Sequence, residues 1–175
     1  MARNILVTGR PGAGKTTLVQ KVIAAGIPLA GGFVTEEVRQ GGRRAGFRVE
    51  DLRSGVEGVL AHVSRKGRPR VGKYGVDVAS FDHVGVGALR DAAGRPGCIV
   101  IDEIGKMELC SSAFREAVTA ALDCDAPVLA TIPIYRLGFV DQLRARQDVL
   151  LIEITHSNRE ALVGRLAELL GGGTP

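Results

Sequence analysis

The chain of 175 residues has no tryptophan, only two tyrosines and an aromatic content of 4%. It therefore offers few flat side chains on which the bases of a nucleic acid could stack. Cysteine is also scarce, because Cys98, Cys110 and Cys124 form no CxxC pair and their odd number argues against a disulfide framework. These absences favour a reduced compartment and leave nucleic acid as a partner that is not favoured.

Long apolar runs are absent too, since no segment approaches the roughly 18 residues that a membrane-spanning helix needs. The first residues, MARNILVTGRPG, contain neither a signal-peptide core nor a small-residue cleavage site. We therefore expect a cytoplasmic protein with no membrane partner. With 45% hydrophobic residues, the chain can form one complete core, and we predict a single domain over residues 1–175. The oligomeric state stays open, and a monomer is compatible with the sequence.

The net charge of +4 is distributed unevenly along the chain. Residues 39–73 contain ten Lys/Arg and three Asp/Glu, which gives +7 there and leaves about −3 for the rest. A basic surface of this kind suits a polyanion, either a triphosphate or a nucleic acid. An ordinary solvated basic loop region is equally compatible with this composition.

Short apolar runs alternate with helix-like segments along most of the chain. The predicted strands are at 4–8, 98–102, 127–131 and 149–154, and the predicted helices are at 16–25, 80–93, 112–122 and 139–146. A last helix is predicted to open with Ser157 and Glu160 as a capping box and to present Leu162, Leu166, Leu169 and Leu170 on one face. This alternation indicates an α/β fold with a parallel sheet covered by helices on both faces.

Residues 32–73 interrupt this alternation. The segments GFVTEEV and GFRVEDL are rich in β-branched residues, and the paired glycines of residues 40–43 between them permit a primed hairpin turn. We therefore predict a small antiparallel β insertion here. Residues 64–73 are predicted to form an exposed basic loop, and the strand that begins at Tyr74 is expected to rejoin the parallel core.

The strongest motif lies between the first predicted strand and the first predicted helix and matches GxxxxGK[ST]. It consists of Gly9, Arg10, Pro11, Gly12, Ala13, Gly14, Lys15 and Thr16. Glycines let backbone N–H groups approach phosphate oxygens, and the helix N-terminus favours the anion. Lys15 is expected at the β and γ phosphates, the Thr16 hydroxyl is expected to ligate Mg²⁺, and Thr17 is expected to cap or line the same helix start.

A second motif is the apolar strand that ends in Asp102 and Glu103. Ligands of open α/β sheets bind at the carboxyl ends of the strands, so these side chains should meet the nucleotide. Asp102 would hold Mg²⁺, and Glu103 would orient and deprotonate the attacking water, although an exposed carboxylate at a strand end is the simpler interpretation of Glu103. Thr131 ends the next strand, where it could sense the γ-phosphate or merely cap the strand.

Further segments carry a family resemblance. They are GGFVTEEVRQGGRRAGF at 31–47, VGKYGVDVASF at 71–81, VIDEIGKMEL at 100–109, ATIP at 130–133 and HSNRE at 156–160. Together with GRPGAGKTT, they resemble the cancer-related nucleoside-triphosphatase family, which is also known from thermophilic bacteria and archaea. The resemblance spans almost the whole chain. It implies a RecA-type P-loop fold in which an extra strand separates the Walker A and Walker B strands, with broad hydrolysis of nucleoside triphosphates and Mg²⁺ as cofactor.

The resemblance also implies two nucleotide-binding segments. The first is residues 9–16, and the second comprises Ile99, Val100, Ile101, Asp102, Glu103, Ile104, Gly105 and Lys106. Lys106 would approach phosphate or face solvent. Asn158 and Arg159 match a family pair expected near the base or ribose, or are ordinary surface residues. This chain has Arg10–Pro11 where relatives often have Pro-Pro or another small pair.

The leading hypothesis is Mg²⁺-dependent hydrolysis of ATP, GTP and other nucleoside triphosphates with broad base specificity. Lys15 and Glu103 would be catalytic, and Thr16 and Asp102 would hold the metal. The alternatives are a kinase that phosphorylates a nucleoside, nucleotide or polynucleotide hydroxyl, and a nucleotide switch with negligible turnover. Arg39 is the first candidate for an arginine that stabilises the transferring phosphoryl group, and a salt bridge to Glu36 or Glu37 is the simpler alternative.

Overall fold

The computed structural model of the protein describes residues 3–171. The strands in this part of the chain are β1 (Asn4–Thr8), β2 (Leu29–Gln40), β3 (Arg43–Asp51), β4 (Glu57–His62), β5 (Arg70–Val71), β6 (Tyr74–Val76), β7 (Cys98–Ile101), β8 (Val128–Thr131) and β9 (Val149–Glu153). The helices are α1 (Lys15–Ala24), α2 (Val78–Phe81), α3 (Gly87–Ala92), α4 (Ser112–Asp123), α5 (Gly138–Arg144) and α6 (Arg159–Leu170). A π-helical segment, Asp82–Val86, joins α2 to α3, and a 3-10 turn, Glu108–Cys110, precedes α4. None of these described helices is long and apolar enough to cross a membrane.

The described strands form one sheet in the order β5-β6-β4-β3-β2-β7-β8-β1-β9. The five strands from β2 to β9 in that order are parallel to one another. β1, β7 and β8 are buried along their whole length, as expected for strands that are covered by helices on both faces. β8 lies between β1 and β7, and it is the extra strand that the family resemblance implies. The predicted α/β fold with a mostly parallel sheet is confirmed.

β2 belongs to both halves of the sheet. Its first residues, up to Phe33, pair in parallel with β7, and from Phe33 to Gln40 it pairs antiparallel with β3. The connection between β2 and β3 is Gly41–Gly42, with φ values of 56° and 75°. A primed turn requires left-handed values at both central residues, which glycine adopts without steric cost. The hairpin predicted from the paired glycines is therefore present.

The antiparallel half extends further than the sequence indicated. We expected the strand at Tyr74 to rejoin the parallel core, but β6 is antiparallel to β4, with Ala61 opposite Val76. Arg70 and Val71, predicted as part of a loop, form the edge strand β5. Strand length is the reason for both differences, since two- and three-residue strands carry almost no periodic signal. The predicted insertion is a continuous extension of the central sheet.

The predicted helix at 80–93 is divided in the structure. The chain becomes helical at Val78, because the Asp77 carboxylate accepts a hydrogen bond from the Ser80 N–H at 3.0 Å and caps the helix start. The π-helical segment then interrupts the α-helical hydrogen bonding before α3 begins.

The last helix begins later than predicted, at Arg159. The Ser157 hydroxyl lies 3.0 Å from the Thr155 hydroxyl, and the N-cap residue of the helix is Asn158. No described side chain caps this helix, so the predicted capping box does not form. Glu160 instead pairs with Lys21 of α1 at 2.9 Å. The predicted apolar face was too wide, because Leu169 is 52% exposed.

Three phenylalanine rings form the centre of the core on one face of the sheet. Phe33, Phe81 and Phe114 are fully buried, and their ring centroids are 5.1–5.8 Å apart in edge-to-face arrangements. Phe33 also accepts a backbone hydrogen bond from Asp102 N at 3.2 Å. This packing fixes the position at which β7 ends and Asp102 begins.

Phe33→Ala should lower the free energy of unfolding by about 3–5 kcal/mol, because it removes a buried ring and leaves a cavity beside two others. Leu169→Ala is the matched control and should change stability by no more than about 0.5 kcal/mol, since that side chain is exposed. Urea denaturation of both variants measures the difference. Equal losses would contradict the assignment of Phe33 to the centre of the core.

Candidate active site

The glycine-rich loop connects β1 to α1 at the carboxyl edge of the sheet. Gly12 and Gly14 have φ values of 78° and 100°, which other residues rarely adopt. Gly14 directly precedes α1, and no side chain in the described part of the chain caps this helix start. The first N–H groups of α1 are therefore available to an anion, as expected for a phosphate-binding loop.

Close packing of Gly9 against Ile154 and a hydrogen bond from Lys15 define the shape of the loop. A methyl group on Gly9 would lie 2.7 Å from Ile154 Cγ2 and 2.9 Å from its carbonyl oxygen, so only glycine fits there. Lys15 Nζ donates a hydrogen bond to the Gly9 carbonyl at 3.0 Å and thereby spans the loop. The ammonium group is thus positioned over the space that the loop encloses.

Asp102 is 1% exposed and lies across the sheet edge from this loop. Its Oδ1 atom accepts a hydrogen bond from the buried Thr131 hydroxyl at 2.5 Å. Its Oδ2 atom has no hydrogen-bond partner within the described chain. Burial raises the pKa of Asp102, and the hydroxyls of Thr131 and Thr16 and the charge of Lys15 oppose that shift. Thr131 therefore orients Asp102, a contact that sequence reasoning did not predict.

Two glutamates follow Asp102 and face the same space. Burial raises the pKa of Glu103, the positive charge of Lys15 opposes that shift, and the charge of Asp102 adds to it. Glu108 is only 5% exposed, and burial together with the charge of Glu103 raises its pKa to about 8. The sequence reasoning missed Glu108. The available signal was a single carboxylate between the apolar residues Met107 and Leu109.

A cleft of about 510 Å³ opens beside these carboxyl groups. The β2–β3 hairpin, β5 and the segment after β8 also contribute to its lining. The cleft is lined by the carboxyl groups of Asp102, Glu103 and Glu108 and by the side chains of Phe47, Val71 and Tyr135. A half-open cleft with apolar walls and a few converging polar groups is the usual form of a small-molecule site.

Residues 4–167 match the family described as NTPase. The chain belongs to this NTPase family. It is 50% identical to the nucleoside-triphosphatase THEP1 of Thermofilum pendens, and the alignment covers 95% of this chain and 94% of that protein. It is 44% identical to the human cancer-related nucleoside-triphosphatase, with 93% of this chain and 94% of the human protein covered. The crystal structure of THEP1 from Aquifex aeolicus is similar with a TM-score of 0.85 at 38% identity, covering 95% of this chain and 98% of that one. The resemblance inferred from the sequence is confirmed.

In this NTPase, only part of the second predicted segment borders the cleft. Asp102, Glu103 and Lys106 line it, and Lys106 Nζ lies 4.8 Å from the centre of the Tyr135 ring. The apolar members of the segment are fully buried in the core and present no side chain to a ligand: Ile99, Val100, Ile101 and Ile104. Gly105 packs against the carboxyl groups of Glu103 and Glu108.

Two smaller clefts adjoin the other side of the loop of the NTPase. One, of about 400 Å³, lies between residues 10–13 and residues 153–156. The other, of about 190 Å³, is bordered by Thr17, Lys21 and Arg159. Thr17 is exposed and does not cap α1, whose N-cap is Gly14.

Two further candidates form local contacts. Arg39 donates hydrogen bonds to Glu37 at 3.1 Å and to the Gly42 carbonyl at 3.0 Å, at the exposed end of the hairpin. This is the salt bridge that we gave as the simpler alternative. Asn158 accepts from Thr155 N at 2.8 Å and donates to the Glu153 carbonyl at 2.9 Å, so it organises the turn before α6.

Glu108→Gln should stabilise the NTPase increasingly as the pH rises from about 4.5 to about 8. The native carboxyl keeps its proton up to about pH 8, whereas an ordinary carboxyl loses it near 4.5. The native state therefore binds more protons in this window, and the wild-type free energy of unfolding falls across it, by on the order of a few kcal/mol.

Urea denaturation at several pH values measures this difference between wild type and variant. Glu116→Gln, on the exposed surface of α4, controls for the loss of one negative charge. The same pH slope in wild type and Glu108→Gln would show that Glu108 is ionised in the native state.

Proposed function

We propose that this chain is a Mg²⁺-dependent nucleoside triphosphatase that hydrolyses ATP, GTP and other nucleoside triphosphates to the diphosphate and phosphate. The relatives in Thermofilum pendens and in humans are named nucleoside-triphosphatases and are 50% and 44% identical to this chain. Similarity of this extent over nearly the whole length supports a hydrolase of the same class.

The observation that carries the proposal is the meeting of the glycine-rich loop with two carboxylates. β1 and β7 are parallel and separated only by β8, so their carboxyl ends lie at the same edge of the sheet. Lys15 and Thr16 are close enough to Asp102 to influence its pKa. Phosphoryl transfer depends mainly on positioning and charge stabilisation, and this edge supplies groups for both.

Thr16 and Asp102 are the residues that would hold Mg²⁺. The unpartnered Oδ2 atom of Asp102 fits this role, because a buried carboxylate oxygen without a donor is costly unless it binds a cation. Within residues 3–171, no three His, Cys, Asp or Glu side chains are arranged so that they could hold a metal ion by themselves. Mg²⁺ suits such a sparse set, because it commonly keeps several waters and uses substrate phosphates as ligands. When bound, the ion would neutralise negative charge on the β and γ phosphates.

Lys15 and Glu103 would perform the remaining work. Lys15 Nζ would exchange its hydrogen bond to the Gly9 carbonyl for one to a phosphate oxygen. Glu103 would orient a water molecule and accept its proton. A raised pKa makes the carboxylate a stronger base at neutral pH, and burial produces that shift here.

The nucleoside is expected on the opposite side of the loop from Glu103. Thr17 and Arg159 border the smaller cleft there, which suits the family Asn-Arg pair near the base or ribose. At about 190 Å³ this cleft is small, and a base held there would remain largely in solvent. Weak enclosure of the base supports broad specificity.

A kinase that passes the γ-phosphate to a hydroxyl acceptor is the second candidate, and one observation favours it. The cleft beside Glu103, at about 510 Å³, is far larger than a water molecule requires. The apolar surfaces of Phe47, Val71 and Tyr135 would suit a small organic acceptor. The fate of the γ-phosphate distinguishes the two activities.

Incubation of the protein with γ-labelled ATP and Mg²⁺ should place the label on inorganic phosphate. The reaction is run alone and with nucleosides, nucleotides and 5′-hydroxyl oligonucleotides as acceptors. Label on an acceptor would support the kinase, and label that remains on ATP would support the nucleotide switch.

Glu103→Gln should retain ATP binding and reduce phosphate release by about 10²- to 10⁴-fold, because it removes the base. Lys15→Ala should weaken both binding and turnover, since it removes the charge at the phosphates. Glu116→Gln is the control for a glutamate lost from an exposed surface. Normal phosphate release from Glu103→Gln would rule out its assigned role.

Asp102→Asn should reduce, by about tenfold or more, the gain in ATP affinity that added Mg²⁺ produces, because a neutral amide is a poorer ligand for a hard cation. Titration of ATP with and without Mg²⁺ measures that gain. Asp125→Asn is the matched control, because Asp125 is exposed at the surface, where it pairs with Arg3. An unchanged Mg²⁺ effect in Asp102→Asn would remove Asp102 from the metal site.

A further inference from the structure

Glu108 has a buried carboxyl group that the hydrolysis reaction proposed above does not use. It begins the 3-10 turn between β7 and α4 and borders the cleft beside Glu103. Its residue surface is 5% exposed. No ion pair within residues 3–171 includes Glu103 or Glu108. An acidic side chain in this environment is costly to the fold unless it is neutral or well hydrogen-bonded.

Gly105 shows how close the two glutamates are. A methyl group on Gly105 would lie 2.7 Å from Glu103 Oε1 and 3.0 Å from Glu108 Oε2. The two oxygens therefore lie close to the same point, within the reach of one bridging water molecule. The absence of a side chain at residue 105 is what allows this approach.

Two carboxyl groups at this separation and degree of burial do not both ionise readily, because each negative charge disfavours the other. Their surroundings decide which one retains the proton. Glu103 is half-buried, and the positive charge of Lys15 lies near it. Glu108 is more deeply buried, and its burial together with the charges of Glu103 and Asp102 disfavours its ionised form, against the opposing effect of hydrogen bonds from the backbone of residues 105 and 108.

We propose that Glu108 is a positioning residue whose protonated carboxyl donates a hydrogen bond, directly or through one water molecule, to the Glu103 carboxylate. This bond holds the Glu103 carboxylate in the orientation that presents its other oxygen to the attacking water. The inference rests on the proposed role of Glu103 in hydrolysis. Asp102 would then hold the metal, Glu103 would activate the water, and Glu108 would orient Glu103.

Other titratable groups surround Glu108 on the neighbouring elements. They come from the end of β7, the 3-10 turn, α4, the π-helical segment and the segment after β8: Asp102, Glu103, Lys106, Cys110, Arg115, Asp82 and Tyr135. Arg115 donates to the Leu109 carbonyl at 2.9 Å, and Asp82 bonds to the Ser111 hydroxyl. The nearer cations are thus either bonded elsewhere or, as with Lys106, stacked on Tyr135.

The test compares two neutral replacements of similar volume, Glu108→Gln and Glu108→Leu. Glutamine keeps a hydrogen-bond donor and should retain kcat within about threefold of wild type, whereas leucine should lower kcat by about 10- to 100-fold, the usual effect of losing a hydrogen bond to a charged group. KM for ATP should stay unchanged in both, because neither contacts the nucleotide. Circular dichroism and thermal melting confirm that both variants are folded.

The pH profile supplies a second readout that a purely structural role would not change. Wild-type kcat should fall as the pH rises through about 8, because Glu108 loses its donor proton and adds a negative charge beside Glu103. Glu108→Gln should remove this decline. Glu116→Gln should keep it, since that residue lies on the exposed surface of α4.

The outcomes separate this inference from the proposed function. Wild-type turnover in Glu108→Leu, or equal losses in Glu108→Gln and Glu108→Leu, would overturn the role of Glu108 while Glu103→Gln remains inactive. Full activity of Glu103→Gln would overturn the proposed mechanism itself.

Discussion

The site depends on keeping three carboxyl groups largely away from water at one edge of a parallel sheet. Asp102 and Glu108 are 1% and 5% exposed, and Glu103 is half-buried. Each group would be better solvated outside the protein, so the arrangement persists only because neighbouring groups compensate. The Thr131 hydroxyl bonds to Asp102, and the Lys15 charge opposes the rise in the pKa of Glu103 that burial causes. Burial and the charge of Glu103 raise the pKa of Glu108, which favours its neutral form. The order of β1, β8 and β7 brings these groups together.

The three carboxyl groups are chemically similar, but their neighbours differ, and these neighbours suit them to different roles. Within residues 3–171, one oxygen of Asp102 has no hydrogen-bond partner, which suits a cation. Glu103 lies near a positive charge and is suited to accept a proton, and Glu108 lies near negative charge and is suited to keep one. Pairs of carboxyl groups with separate roles in other enzymes are distinguished in the same way, by burial and neighbouring charge.

The parts of this site that the sequence predicted are those that depend on local signals. The glycine-rich loop and the apolar strand ending at Asp102 are contiguous motifs, and their meeting follows from the parallel sheet. Glu108 could not be recognised in this way, because its importance arises from its distance to Glu103 across Gly105. The strand β6 and the π-helical segment were also missed, since short strands and changes of helical hydrogen bonding are decided by tertiary packing.

Charge counted along the sequence was misleading for a related reason. The basic segment from residue 39 to 73 excludes Glu36 and Glu37, yet the hairpin places these two carboxylates against its arginines. Glu36 bonds to Arg48 at 2.6 Å, and Glu37 bonds to both Arg39 and Arg44. Part of the excess positive charge is therefore neutralised across the two strands, and less of it is free to attract a polyanion. Exposed pairs of this kind contribute little stability individually.

The same hairpin connects the cleft to the core. β2 is one continuous strand from Leu29 to Gln40, and its inner half is paired with β7 while its outer half contributes Thr35 and Glu36 to the cleft wall. Phe33 lies at the junction, where it packs among buried rings and bonds to the backbone of Asp102. A movement of the hairpin towards or away from the carboxyl groups would therefore disturb the core. The packing of Phe33 therefore links the wall of the cleft to the core of the protein.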